Sequence, residues 1–180
     1  MAAVPNALLV GRAQSGDRVA LDALLASVQE PLFAHISLIV GDTDDALDVL
    51  QDVLLVIARK LPALREPRWF RAWAYRVATR EAIRRHRAHK VWRDAVRGEE
   101  LDALPEGASG DDKPFDAELI AAIPGHVAEL PPASGLVIRM HYLDGLSYEE
   151  IAEALDLAVG TVKSRLSYGR DLLRRRISNA

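Results

Sequence analysis

The chain has 180 residues, 49 % of them apolar, which is material for one domain or two small ones with real cores. It has no cysteine, so disulfides, thiolate metal sites and cysteine nucleophiles are excluded. The net charge of −3 conceals strong segregation: Arg65 to Arg93 is mostly basic, Asp94 to Glu118 mostly acidic, and Lys163 to Arg176 basic again. Two basic zones separated by an acidic one point to two nucleic-acid contacts joined by a segment that avoids nucleic acid.

Met1 to Val10 lacks the basic start and long apolar run of a secretory signal, and no later stretch reads as a membrane span. A cytoplasmic protein without direct membrane insertion is expected. Apolar residues recur at helical rather than strand spacing, which predicts an all-α chain. Leu21, Leu24, Leu25 and Val28 suit a first helix opened near Asp17. A second starts around Asp42 to Asp45 and runs to Leu61, where Pro62 ends it. Leu50, Leu54, Ile57 and Leu61 share one side of it, and Asp45, Asp48 and Asp52 lie almost opposite. A third helix runs from about Arg68 to Arg87, aromatic at its start and basic at its end.

The acidic stretch from Arg93 to Lys113 holds Gly98, Pro105, Gly107, Ser109 and Gly110 and reads as a flexible linker. Phe115 to Ile123 suits a short helix before Pro124-Gly125. Leu130-Pro131-Pro132 opens a helix carrying Leu136, Val137 and Met140. Ser147 and Glu150 then form an S-x-x-E capping box before Ile151 and Leu155, and Asp156-Leu157-Ala158 separates this helix from a basic one. The expected architecture is two small helical domains joined by a flexible acidic linker, the C-terminal one a helix-turn-helix. The expected boundaries are 1–92, 93–126 and 127–180.

A helix-turn-helix places its second helix in the DNA major groove, and its N-terminus offers free N–H groups to a phosphate. With Val162 and Leu166 on the inner edge, Thr161, Lys163, Ser164, Arg165, Ser167 and Tyr168 are the candidate duplex contacts. Lys163 and Arg165 are long donors suited to guanine edges or phosphate. Between Trp69 and Ala78 aromatics alternate with arginines, the combination that holds single strands by stacking and charge. Phe70, Trp73 and Val77 are also spaced as a core stripe. The single-strand candidates are therefore Arg65, Arg68, Trp69, Tyr75, Arg76, Arg80, Arg84 and Arg85. His86 and His89 lack an accompanying carboxylate cluster and sit among arginines, so no metal is expected. With no nucleophile–base pair and no glycine-rich phosphate loop, neither catalysis nor a cofactor is expected.

Four blocks, in order, resemble the bacterial sigma factors of the extracytoplasmic-function type. Gly16-Asp17 with Ala20, Leu21 and Leu24 resembles the start of that family's region 2. The run from Asp45 to Val53 resembles its D-x-x-D-x-x-Q-[ED]-[VT] polymerase-binding helix, and Phe70 to Ala78 its F-R-x-W-x-Y-R-I-A promoter-melting block. Leu130-Pro131-Pro132 and Gly145 to Leu166 resemble its region 4. The resemblance implies a non-enzymatic subunit that directs RNA polymerase core, through its β′ and β subunits, to promoter DNA and helps open the −10 region.

It further implies that Asp45, Asp48, Gln51 and Asp52 dock on the β′ clamp coiled coil. The loop from Arg65 to Trp69 would capture a base flipped from the −10 element. The C-terminal helix would read the −35 element as duplex, and an anti-sigma factor would control the protein. The chain departs from the family at Glu66-Pro67, at Arg80, where Asn is common, and at Ala158, where Ser often caps the helix. Two rivals remain at this point. An ordinary helix-turn-helix regulator would explain the last fifty or so residues, and a polymerase-binding decoy would keep the blocks without initiating.

Overall fold

Two residues, Gly41 and Asp42, separate the first two long helices. In the computed structural model, which describes residues 7–85 and 117–178, α1 spans Ala7–Gln14, α2 Arg18–Val40, α3 Thr43–Lys60 and α4 Phe70–Arg85. Asp17 caps α2 by accepting the Ala20 N–H at 3.0 Å. Gly41, at φ +80°, closes α2 in the left-handed conformation and returns its N–H to the Ser37 carbonyl. Asp42 then caps α3 by accepting the Asp44 and Asp45 N–H groups. A glycine stop beside an aspartate start is what folds α3 back on α2.

α2 continues through Pro31, which costs a helix interior about 3 kcal/mol. Leu24, Val28, Leu32, Ile36 and Ile39 are fully buried, and each contributes roughly 1.5–3 kcal/mol, so packing outweighs the proline. By length and composition α2 is also apolar enough to cross a membrane, contrary to the sequence expectation. Its packing against α1, α3 and α4 accounts for that apolarity as core.

The core of this unit also contains a polar chain. His35 is fully buried, with Nε2 2.9 Å from the Thr79 hydroxyl, which donates in turn to the Tyr75 carbonyl. The hydroxyl proton is thus committed to Tyr75, and His35 Nε2–H is the donor. Thr79→Val, which keeps the shape and removes the acceptor, is expected to destabilise the unit by about 1–3 kcal/mol in urea melts. An unchanged midpoint would mean that this bond contributes nothing.

The chain divides into two units, Met1–Arg87 and Ala88–Ala180. In the second, α5 is Ala117–His126, α6 Pro132–Ile138, α7 Tyr148–Leu155 and α8 Val159–Ser178, with a π-turn over Arg139–Leu143. Among the described residues every regular element is helical. The segment expected as linker lies outside the described residues up to 116, but 117–126 is a helix that packs on α8 with Ile123 fully buried. The last ten residues assigned to the linker thus form a helix, which places Ile123 in this unit's core. α5 also passes Pro124, where a stop was expected, and ends at His126.

Close approach here requires glycine. A Cβ on Gly135 would lie 2.7 Å from the Val127 carbonyl oxygen, and one on Gly169 2.9 Å from Ile138 Cγ1. The first obstacle is backbone and has no rotamer to change. Gly135→Ala is therefore expected to cost about 1–3 kcal/mol, seen as a lowered melting temperature of this unit.

Candidate nucleic-acid interfaces

The helix-turn-helix forms as its sequence dictates. Ser147 Oγ accepts the Glu150 N–H at 3.1 Å, and Glu150 Oε2 accepts the Ser147 N–H at 2.8 Å, a closed capping box. Asp156, at φ 59°, ends α7 in the left-handed conformation, and Val162 donates back to the Ala158 carbonyl to open α8. Upstream, the Met140 carbonyl accepts from Leu146 N–H and the Leu146 carbonyl from His141 Nδ1, at 2.8 Å for the latter. Since a carbonyl only accepts, His141 carries its proton on Nδ1. The ring of His141 lies 4.8 Å from that of Tyr148, over which Lys163 Nζ stands at 5.7 Å.

α8 corrects two expected duplex contacts. Arg165 is 2 % exposed and Ser167 7 %, so both face the core beside Val162 and Leu166. Arg170 is buried too and hydrogen-bonds Tyr142, whose phenol burial pushes above its usual pKa while the Arg170 charge pulls it down. Lys163 is exposed, and Thr161, Ser164 and Tyr168 are half-buried. The Ser164 hydroxyl donates to the Gly160 carbonyl at 3.0 Å. The outward surface at the start of α8 is thus Thr161, Lys163 and Ser164, with Tyr168 a turn further on.

α4 corrects the choice of aromatic in the first unit. Tyr75 is 2 % exposed, its ring edge-on to His35 at 4.9 Å, while Trp73 is half-buried. At about 100° per residue, Trp73, Arg80 and Arg84 fall within roughly 20° of a common line and Tyr75 on the far side. Arg76 flanks that line. Phe70 is buried, as its place in a core stripe requires. The three-residue turn Pro67–Trp69 leads into α4, with exposed Arg65 and Arg68 and half-buried Trp69 beside it. The Arg68 guanidinium stands 5.9 Å from the centre of the Trp69 ring.

On α3, Asp45, Asp48 and Gln51 are exposed and Asp52 is half-buried. Leu47 and Leu55, 51 % and 48 % exposed, sit among them, an apolar component that the sequence pattern of acids had masked. Leu47, Gln51 and Leu55 recur every four residues, the spacing of one helical face. Arg85 pairs with this surface: Nη2 is 3.2 Å from Asp48 Oδ2 and Nη1 is 3.1 Å from Asp52 Oδ2. One expected DNA contact is thus tied to two expected polymerase contacts. Arg84 pairs instead with Glu81 on its own helix. His86 and His89 lie outside the described residues.

Comparison with known proteins identifies the family of both units. Residues 24–91 match Sigma-70 region 2, and residues 125–173 match Sigma-70, region 4. The chain is 32 % identical to the ECF RNA polymerase sigma-E factor of Escherichia coli strain K12 over 92 % of its own length and 91 % of that protein. It is 28 % identical to the ECF RNA polymerase sigma factor SigW of Bacillus subtilis strain 168, over 93 % and 94 %. The fold is similar to CnrH, solved in complex with the cytosolic domain of CnrY, with a TM-score of 0.65 and 22 % identity over 96 % of this chain and 97 % of that one. The chain belongs to the extracytoplasmic-function sigma factors: it is no enzyme, but a subunit that binds RNA polymerase core and promoter DNA and directs initiation to specific promoters.

Proposed function

We propose that this sigma factor opens the −10 region with one face of α4 and reads the −35 element with the first turns of α8. The observation that carries the first half is the line of Trp73, Arg80 and Arg84, flanked by Arg76, on the part of α4 turned from the core. An aromatic among guanidiniums stacks an unpaired base and neutralises the strand that carries it. Arg65, Arg68 and Trp69 precede this line and receive the flipped base. Thr161, Lys163, Ser164 and Tyr168 face the −35 duplex, whereas Arg165 and Ser167 hold α8 to its neighbours. Asp45, Asp48, Gln51 and Asp52 dock on the β′ clamp, with Leu47 and Leu55 supplying apolar contact. Arg85, engaged by Asp48 and Asp52, fastens α4 to α3 rather than gripping DNA.

The protein works in the cytoplasm, with functional units at 1–92 and about 117–180 separated by the acidic segment. By analogy with CnrH bound to the cytosolic domain of CnrY, a partner protein masks the polymerase- and DNA-binding surfaces until it is released. The test is run-off transcription from a promoter library with purified core polymerase, with and without the protein. Promoter-specific transcripts that require the protein are expected. Polymerase binding without initiation at any promoter would mark a decoy, and tight duplex binding without polymerase an ordinary regulator.

A further inference from the structure

The end of α1 touches the start of the loop proposed to capture the −10 base. The Gln14 side-chain Nε2 lies 3.0 Å from the Leu61 carbonyl oxygen and 2.7 Å from that of Leu64. An amide nitrogen has two hydrogens, so one group serves both carbonyls. The Leu61 carbonyl also accepts the Leu64 N–H, at 3.0 Å, and the chain then leaves helical geometry: Leu64 has ψ 110° and Glu66 ψ 99°. α3 has run out at Lys60, and past its end, at the caps Leu61 and Leu64, backbone carbonyls need donors from elsewhere. Gln14 supplies them across 47 and 50 residues of sequence.

The support under Gln14 is itself held by packing and a closed turn. Val10 and Ala13 bury α1 against the core. Arg12 grips Asp17 with Nε at 3.0 Å and Nη2 at 2.6 Å, and Gly16, at φ +93°, makes the turn between them. The Ala20 N–H and the Arg12 guanidinium hold the Asp17 carboxyl below its usual pKa. α1 also packs against both short turns, Leu61–Ala63 and Pro67–Trp69, that bracket the loop.

We infer that Gln14 is a positioning residue for −10 recognition: its amide pins the Leu61 and Leu64 carbonyls and so fixes the path on which Arg65 to Trp69 meet the flipped base. It touches no DNA in this assignment and acts through the loop. The inference rests on the reading of that loop as the −10 base-capturing element.

Gln14→Glu removes both donors at constant shape, and Gln14→Met does so without adding charge. The full-length variants are assembled with core polymerase on a promoter recovered from the transcription screen, and on copies carrying one −10 base replaced at a time. For both variants, the preference for the native −10 base over its replacements is expected to fall about tenfold at the position read by the loop. Affinity for core polymerase and preference at −35 should remain within about twofold on the same scale. A merely structural role would lower transcription from all promoters by a common factor and leave the base preference intact, which would overturn the inference. Arg65→Ala and Trp69→Ala, run in parallel, separate the two ideas. If they relax −10 preference and the Gln14 variants do not, the positioning role is wrong and the loop reading stands. If Arg65→Ala and Trp69→Ala leave −10 preference intact, the loop reading itself fails, and the inference with it.

Discussion

Trp73→Ala is expected to slow open-complex formation roughly 10- to 100-fold, the loss that follows from one unstacked base. Permanganate reactivity of the −10 thymines on a duplex promoter measures it directly. Tyr75→Phe, by contrast, keeps the ring that faces His35 and should leave opening nearly unchanged. The contrast matters because both aromatics belong to the same helical block and only burial separates them. A premelted promoter tests the stage at which Trp73 acts. If stacking holds the extruded strand, the variant stays defective even where no melting is needed. Replacing Arg76, Arg80 and Arg84 by Ala should also lower the salt dependence of binding to that premelted strand, by about 0.7 in the log–log slope for each phosphate no longer neutralised. Equal effects of Trp73→Ala and Tyr75→Phe on opening would remove the proposed face from α4.

Arg165→Ala is expected to act on stability rather than on sequence reading. Truncating a buried guanidinium typically costs several kcal/mol, about 3 as a working figure, because the packing of the long side chain and its buried interactions are lost together. The melting transition of the C-terminal unit should therefore fall, and affinity for all −35 sequences should fall together. Lys163→Ala should do the reverse, with an unchanged melt and a specific loss of about 1–3 kcal/mol at the base pair it reads. A thermal melt and a −35 base-substitution series on the same two variants distinguish them. Selective loss of one −35 base pair in Arg165→Ala, with an unchanged melt, would return that side chain to the groove.

Much of the fold is legible locally. Asp17, Asp42 and the Ser147–Glu150 box announce three helix starts, because each satisfies backbone donors within a few residues of itself. α1 is not: it is two turns long and contains Gly11. Its role rests on hydrogen bonds to residues nearly fifty positions away, for which a local pattern carries no signal. The place of Tyr75 is open to sequence reasoning, since the helical period alone sets it opposite Arg80 and Arg84. Leu47 and Leu55 are hidden by the acids around them, though their four-residue spacing with Gln51 is visible in the sequence.

What the sequence by itself determined is the helical class, the caps, the helix-turn-helix and the family, all carried by short-range spacing and by blocks in order. The tertiary structure decided which flank of each helix is turned inward. On α8 the apolar residues suggested a narrow inner stripe. α5, α6 and α7 all pack on it, and the buried arc widens to take in Arg165, Ser167 and Arg170. On α4 the same kind of decision put Tyr75 inside, left Trp73 at the surface and turned Arg85 toward Asp48 and Asp52. Helical periodicity sets the angles between residues of one helix. How wide an arc is buried depends on how many neighbours surround that helix, and those neighbours come from distant parts of the chain.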